Sequence, residues 1–224
     1  MFIPLHDTNT LKHIKVQYVT ISLIVINIAV WLITGPIASE QFANAALLGF
    51  GYIPALIFDY AQLDPSLVVV PDGFTFVTYS FLHGDFTHLL FNMLGLWMFG
   101  GELEQVWGQK RFVLFYFASV IAAALTQLLV NAVIGSVAPT IGASGGLFGL
   151  LLAFAMIFPN RIILLFFVIP MKAKWLVALY GVIELYQGVY VLNSGVAHFA
   201  HLGGMLGGLL TLRYWRGQAP FGRR

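Results

Sequence analysis

Six apolar runs constrain any fold open to this chain: Tyr18–Thr34, Thr87–Val106, Phe112–Asn131, Ser144–Phe158, Trp175–Leu192 and Val196–Tyr214. A helix needs about 20 residues to cross a hydrocarbon core of ~30 Å, and every run except the fourth is close to that length. Only 9% of the 224 residues are charged and 59% are hydrophobic, whereas a soluble domain is about one-quarter charged. The reading is therefore an all-α, polytopic membrane protein. No repeat, low-complexity segment or boundary interrupts it, so residues 1–224 are read as a single transmembrane domain with short cytoplasmic tails. The first run follows Lys12 and Lys15 as a signal sequence would, but its length favours a retained transmembrane helix. The net charge of +2 gives no basis for binding nucleic acid, and the absence of Cys removes disulfides, thiolate metal sites and a cysteine nucleophile.

Basic residues orient the runs. All 11 Lys and Arg fall at the two ends (Lys12, Lys15; Arg213, Arg216, Arg223, Arg224) or in two connections (Lys110, Arg111; Arg161, Lys172, Lys174). The other three connections have none, and the first of them carries Glu40, Asp59, Asp64 and Asp72. The positive-inside rule then gives six crossings with both termini cytoplasmic. The first outer connection, about Gly35 to Gly73, is too long for a turn, and its apolar pieces between Phe42 and Phe58 read as short interfacial helices. Pro159–Lys174 reads as a cytoplasmic-side connection that dips partly into the interface.

The fourth run is the short one, covering about 22 Å of the ~30 Å core. It opens inside the stretch Thr140–Gly149, T-I-G-A-S-G-G-L-F-G, in which Ser144 sits among glycines. A helix starting below the surface puts Ser144 at membrane depth, where irregular backbone is tolerated only beside a wet, protein-enclosed cavity. Two readings compete for this stretch. Gly145 and Gly149 form a G-x-x-x-G packing face, and a serine at a helix N-terminus becomes a nucleophile if a base and oxyanion donors reach it.

Polar residues elsewhere favour the second reading. His88 and Asn92 lie four apart on one face of the second run, and the sixth opens with His198 and His201 followed by Gly203, Gly204, Gly207 and Gly208. With runs two, four and six all passing from outside to inside, these groups share the outer half of the membrane, where polar side chains are functional candidates. Small-residue stripes on runs four and six would let the two backbones approach and bring Ser144 toward His201.

G-A-S-G at Gly142–Gly145, H-L-L-F-N at His88–Asn92 and A-H-L-G-G-M-L-G-G at Ala200–Gly208 together resemble the rhomboid intramembrane serine proteases. The resemblance covers nearly the whole chain. It implies a six-helix bundle with a short central fourth helix, and a Ser–His dyad of nucleophile Ser144 and general base His201. It also implies an oxyanion and substrate-binding site from His88, Asn92 and the Ser144 N–H, with Gly142 and Phe148 beside it. In relatives a tyrosine at the Phe148 position can stack on the base; phenylalanine keeps the ring without the hydroxyl. The substrates implied are single-pass transmembrane proteins, cut near their outer end after entry past the fifth helix, with the connection around Asn193–Val196 as a lid. No metal or organic cofactor is implied, and membrane lipid is the surrounding partner. The branch resembled places the chain in a bacterial inner membrane with its site open to the periplasmic side. The family's first-loop Trp-Arg pair is not apparent between Gly35 and Gly73.

Several positions stay open on sequence. His198, one turn from His201, competes for the role of base. Glu184, deep in the fifth run, either orients His201 as a triad acid would or makes a hydrogen-bonded contact between helices. His83 reads as a solvated loop histidine, and Glu102 and Glu104 as structural partners of Lys110 or Arg111. Other functions have their own signatures. A catalytically inactive relative would be expected to lack the serine or the base, both present here. A bis-histidine haem protein using His88 with His201 or His198 would leave Asn92 and the glycines around Ser144 without a role. A transporter would place its polar cluster nearer the midplane.

Overall fold

The computed structural model describes residues 16–58, 62, 70–134, 138–165, 168–191 and 195–218. Lys12, Lys15, Asp59, Asp64, Asn193, Arg223 and Arg224 lie outside them. Each of the six apolar runs is helical: α1 (Tyr18–Thr34), a second rod made of α5 (Phe86–Gly95) and α6 (Gly101–Trp107), α7 (Gln109–Ile134), α8 (Ser144–Ile157), α9 (Ala173–Tyr190) and α10 (His198–Trp215). The first outer connection contributes α2 (Glu40–Phe50), capped by the Ser39 side chain, then α3 (Pro54–Ile57) and α4 (Asp72–Thr78). By length and composition α7 is the described helix able to cross a bilayer by itself, and α1 and α8 are apolar but shorter. Large apolar side chains such as Val25, Leu129 and Val182 remain exposed on α1, α7 and α9, a surface that water would not tolerate in a monomer.

The second rod is not a uniform helix. α5 (Phe86–Gly95) passes through a π-helical turn at Leu96–Gly100 before α6 (Gly101–Trp107), a widening that often accompanies functional sites. Its C-terminal end also fixes α1. Glu104 is fully buried and accepts from the Val19 N–H at 3.0 Å, the Thr20 N–H at 2.7 Å and the Thr20 hydroxyl at 2.7 Å. A carboxylate across the orphan amides of a helix N-terminus satisfies both groups at once. The expected pairing with Lys110 or Arg111 is therefore replaced: Glu102 faces Arg161 at 3.6 Å, and the Arg111 guanidinium lies over the Trp215 ring. The backbone of α1 outcompeted the loop cations because it offers several fixed donors in a dry place.

The connection from Pro159 to Lys174 is a β-hairpin. Strands β1 (Ile162–Leu165) and β2 (Ile169–Lys172) pair antiparallel, with Ile163 opposite Met171 and Leu164 opposite Pro170. The run of β-branched and leucine residues had only suggested an interfacial dip. Pairing the two strands satisfies backbone groups that a lipid interface would leave bare.

Packing around α8 organises the bundle. On α10 the two glycine pairs divide their labour. A Cβ on Gly203 or Gly207 would strike Thr126 or Ala122 of α7, while one on Gly204 would strike the carbonyl oxygen of Gly145 in α8. One turn along, a Cβ on Gly208 would lie 3.1 Å from Gly149 Cα, and Gly149 itself has no room for one against Ser119. The α8 and α10 backbones thus touch directly, and each glycine is required by proximity.

Gly204→Ala is expected to destabilise the bundle by about 1–3 kcal/mol, because the obstacle is backbone rather than a side chain that can swing aside. Thermal unfolding in detergent checks this, with Leu206→Ala on the exposed side of α10 expected to shift the midpoint little.

Candidate active site

Three helix starts converge on one cavity of about 780 Å³, lined among others by His88, Asn92, Ser144, Phe148, Tyr180 and His201. α5 begins where Asp85 caps it, its carboxylate accepting from the His88 N–H at 2.8 Å. That cap puts His88 in the first turn and Asn92 one turn deeper on the same face. The Asn92 amide donates to the His88 carbonyl at 2.9 Å, which steadies the side chain and leaves its second N–H for the cavity.

The turn before Ser144 is held from two sides by backbone. Thr140 and Tyr52 exchange hydrogen bonds of 2.8 and 3.1 Å, and the Gly142 N–H donates to the Tyr79 carbonyl at 3.0 Å. Gly142 sits at φ +114°, a conformation open to glycine. A Cβ there would collide with Nε2 of His88 and lie 3.7 Å from Ser144 Oγ, so the His88 ring and the Ser144 hydroxyl flank Gly142. α8 then starts at Ser144, leaving its first-turn amides without intrahelical acceptors.

α10 delivers the imidazole. Nε2 of His201 lies 2.8 Å from Ser144 Oγ, a consequence of the direct α8–α10 backbone contact one turn further on. The Phe148 ring stacks on the His201 ring at 4.3 Å between centroids and 5° between planes. His198, the competing histidine, points elsewhere: its Nδ1 lies 2.7 Å from Oε2 of Glu184, and its ring stands edge-on to His201 at 6.4 Å. The same Glu184 oxygen is 3.0 Å from Nδ1 of His201, close in distance but off the hydrogen-bond direction.

The Glu184, His198 and His201 ligand atoms lie within 4.8 Å of one another, which raises the question of a metal. Ligands about 2.0–2.1 Å from a tetrahedral ion sit about 3.3 Å apart. The 2.7 and 3.0 Å separations seen here are hydrogen-bond lengths instead.

His83 corrects the sequence reading. It is 6% exposed rather than a solvated loop residue, its ring packs edge-on against His88 at 4.9 Å, and its Nε2 lies 3.5 Å from the Ala143 N–H. It supports both His88 and the turn before Ser144 from behind. Nothing in the local pattern around His83 marks this, because the contact spans 60 residues of chain. Burial, and then the neighbouring His88, push its pKa down from 6.5 to about 4. Phe148 stacks on His201 as the resemblance implies for the ring at that position, and Glu184, left open on sequence between orienting His201 and a contact between helices, lies beside both His198 and His201.

A mostly helical bundle that gathers a half-buried serine–histidine pair, His88 and the buried Asn92 around a cavity, with apolar side chains on its outer surface, defines a helical membrane protein. A family model described as Rhomboid domain matches residues 71–217. The chain is 35% identical over 173 residues to Rhomboid protein 1, mitochondrial, of Saccharomyces cerevisiae, covering 75% of this chain and 49% of that protein. It is 31% identical over 153 residues to Rhomboid protease GluP of Bacillus subtilis, covering 68% of this chain and 28% of that one. Presenilin-associated rhomboid-like protein, mitochondrial, of Mus musculus is 26% identical over 197 residues, 84% of this chain and 51% of its own. The chain thus spans about half the length of the yeast and mouse proteins. It belongs to the rhomboid family.

Because the folded His83 binds its proton near pH 4 and the unfolded one near 6.5, the unfolded state takes up more protons between those values. Stability is therefore expected to fall as pH drops from 6.5 toward 4. Thermal unfolding across that range should show a component that His83→Gln lacks.

Proposed function

We propose that the chain is an intramembrane serine endopeptidase that cuts transmembrane helices near their outer ends. The observation that carries this is the 2.8 Å approach of Ser144 Oγ to Nε2 of His201, inside a cavity that also presents Asn92 and His88. Ser144 attacks the scissile carbonyl while His201 takes its proton. The carbonyl oxygen gains charge and is met by donors from Asn92, His88 and the Ser144 N–H, the last supplied by a helix start. Collapse returns the proton from His201 to the leaving amine. Water, activated by the same imidazole, then releases the acyl group from Ser144. Phe148 keeps the imidazole plane fixed through both transfers.

The remaining particulars rest on charge and composition. Six helical runs, with Lys110, Arg111, Arg161, Lys172 and Lys174 gathered in two connections, support six crossings with those connections on the cytoplasmic side. The cavity then opens to the outer side, and the described part of the lid, Gly195 and Val196, lines it. The exposed apolar face of α9 supports lateral entry of a single-pass substrate from lipid. The location proposed from the resemblance is a bacterial inner membrane; of the relatives above, the Bacillus subtilis protein is bacterial and the yeast and mouse proteins are named mitochondrial. An inactive relative is disfavoured by the presence of both reacting groups within hydrogen-bonding distance.

Detergent-solubilised protein with a fluorogenic transmembrane substrate tests the reading. Ser144→Ala and His201→Ala are expected to abolish cleavage with folding intact, while His198→Ala keeps measurable activity. Asn92→Ala should lose about 10²–10³ in kcat, the cost of one oxyanion donor. Full activity in Ser144→Ala would end the hydrolase assignment.

A further inference from the structure

We infer that Glu184 is a positioning residue for His201, the third member of a Ser144–His201–Glu184 relay; the inference rests on the protease reading above. The two nitrogens of the His201 imidazole have different partners. Nε2 faces Ser144 Oγ at 2.8 Å, and to accept that hydroxyl's proton it must be unprotonated. The neutral ring then carries its proton on Nδ1. A buried Nδ1–H needs an acceptor, and the group beside it is the Glu184 carboxylate, with Oε2 at 3.0 Å.

The carboxylate is itself held in place. His198 Nδ1 lies 2.7 Å from the same oxygen, and Glu184 is 7% exposed, so it has one conformational choice rather than many. This gives His198 a place as well: it anchors the acid from the first turn of α10, one turn before the base. Two imidazoles of α10 thus face one carboxylate oxygen of α9.

The resting contact to His201 is off the hydrogen-bond direction, and the stack with Phe148 shows how it can close. Rings parallel within 5° permit the imidazole to turn in its own plane without losing the aromatic face. A small in-plane turn aims Nδ1–H at Oε2, and catalytic hydrogen bonds commonly tighten only when substrate binds. When Ser144 attacks, its proton passes to Nε2 and the ring becomes an imidazolium. Glu184 remains a carboxylate opposite Nδ1 and stabilises that charge without itself being protonated. No atom is lost or gained by Glu184 over the cycle.

The test compares wild type, Glu184→Gln, Glu184→Asp and Ser144→Ala, using substrate turnover and labelling of Ser144 by a fluorophosphonate. Wild type is expected to label and Ser144→Ala not to. Glu184→Gln should lower both kcat and the labelling rate by about 10²–10⁴-fold with KM little changed. Glu184→Asp, which keeps the charge on a shorter arm, should recover part of the rate. A merely structural residue would move thermal stability without this split or this rescue. A fall of less than tenfold in Glu184→Gln, with wild type active, overturns the inference alone. A wild type that neither cleaves nor labels overturns the protease reading and this inference with it. If Glu184→Gln does not fold, ¹⁵N-histidine NMR of the wild-type protein decides, with His201→Gln identifying the resonance. A neutral His201 protonated on Nδ1 supports the inference, and one protonated on Nε2 overturns it.

Discussion

The contact on which this structure depends is the one between bare backbones, where Gly204 of α10 meets the carbonyl of Gly145 in α8. In lipid, helices gain nothing from hiding apolar side chains from one another, so packing depends on how closely main chains can come. Having no side chains at Gly149, Gly204 and Gly208 lets the two helices touch along a seam, while Gly145 makes room for Ala123 and Tyr79. Ser144 begins one helix at one end of that seam, and His201 sits one turn before Gly204 on the other. The serine–histidine distance follows from the glycines. A wider crossing would leave the hydroxyl and the imidazole facing each other across a gap that only water could fill.

Two buried acids show how the fold accommodates charge where it is most costly. Glu104 is fully buried beneath the N-terminus of α1, taking donors from Val19 and Thr20. Glu184 is buried against two imidazoles of α10. Glu104 has three donors converging on it, and Glu184 has the His198 ring in hydrogen-bond contact with His201 beside it, the kind of partnering under which burial of such a group is tolerated. Their consequences differ because the donors differ. Backbone amides at a helix start have nothing further to do once satisfied, so Glu104 fastens α1 to the second rod. An imidazole has a second nitrogen, so whatever holds its first also sets what the second can accept.

Much of the site could be read along the chain, because its residues announce themselves locally. The six apolar runs, the basic residues gathered in alternate connections, and the spacing of His88 and Asn92 are all short-range facts. So is Ser144 at the head of a run too short to span. The resemblance carried by three motifs added the pairing of Ser144 with His201. What escaped were contacts between positions far apart in sequence. His83 looked like a loop residue until the turn before Ser144 folded over it. Glu102 and Glu104 had nearby cations in sequence, yet one reached Arg161 and the other reached α1. The hairpin of β1 and β2 was hidden for another reason: a short run of β-branched residues is equally good as strand or as buried helix until its partner is known.

Sequence alone therefore determined that the chain is helical, that lipid surrounds it, and which polar side chains share a depth, because hydropathy and spacing act over single elements. Tertiary structure decided between the two histidines of α10, giving His201 to Ser144 and His198 to Glu184. One helical turn of difference cannot be resolved by a pattern that repeats every turn. It is resolved by how far α10 slides along α8 before glycine meets glycine.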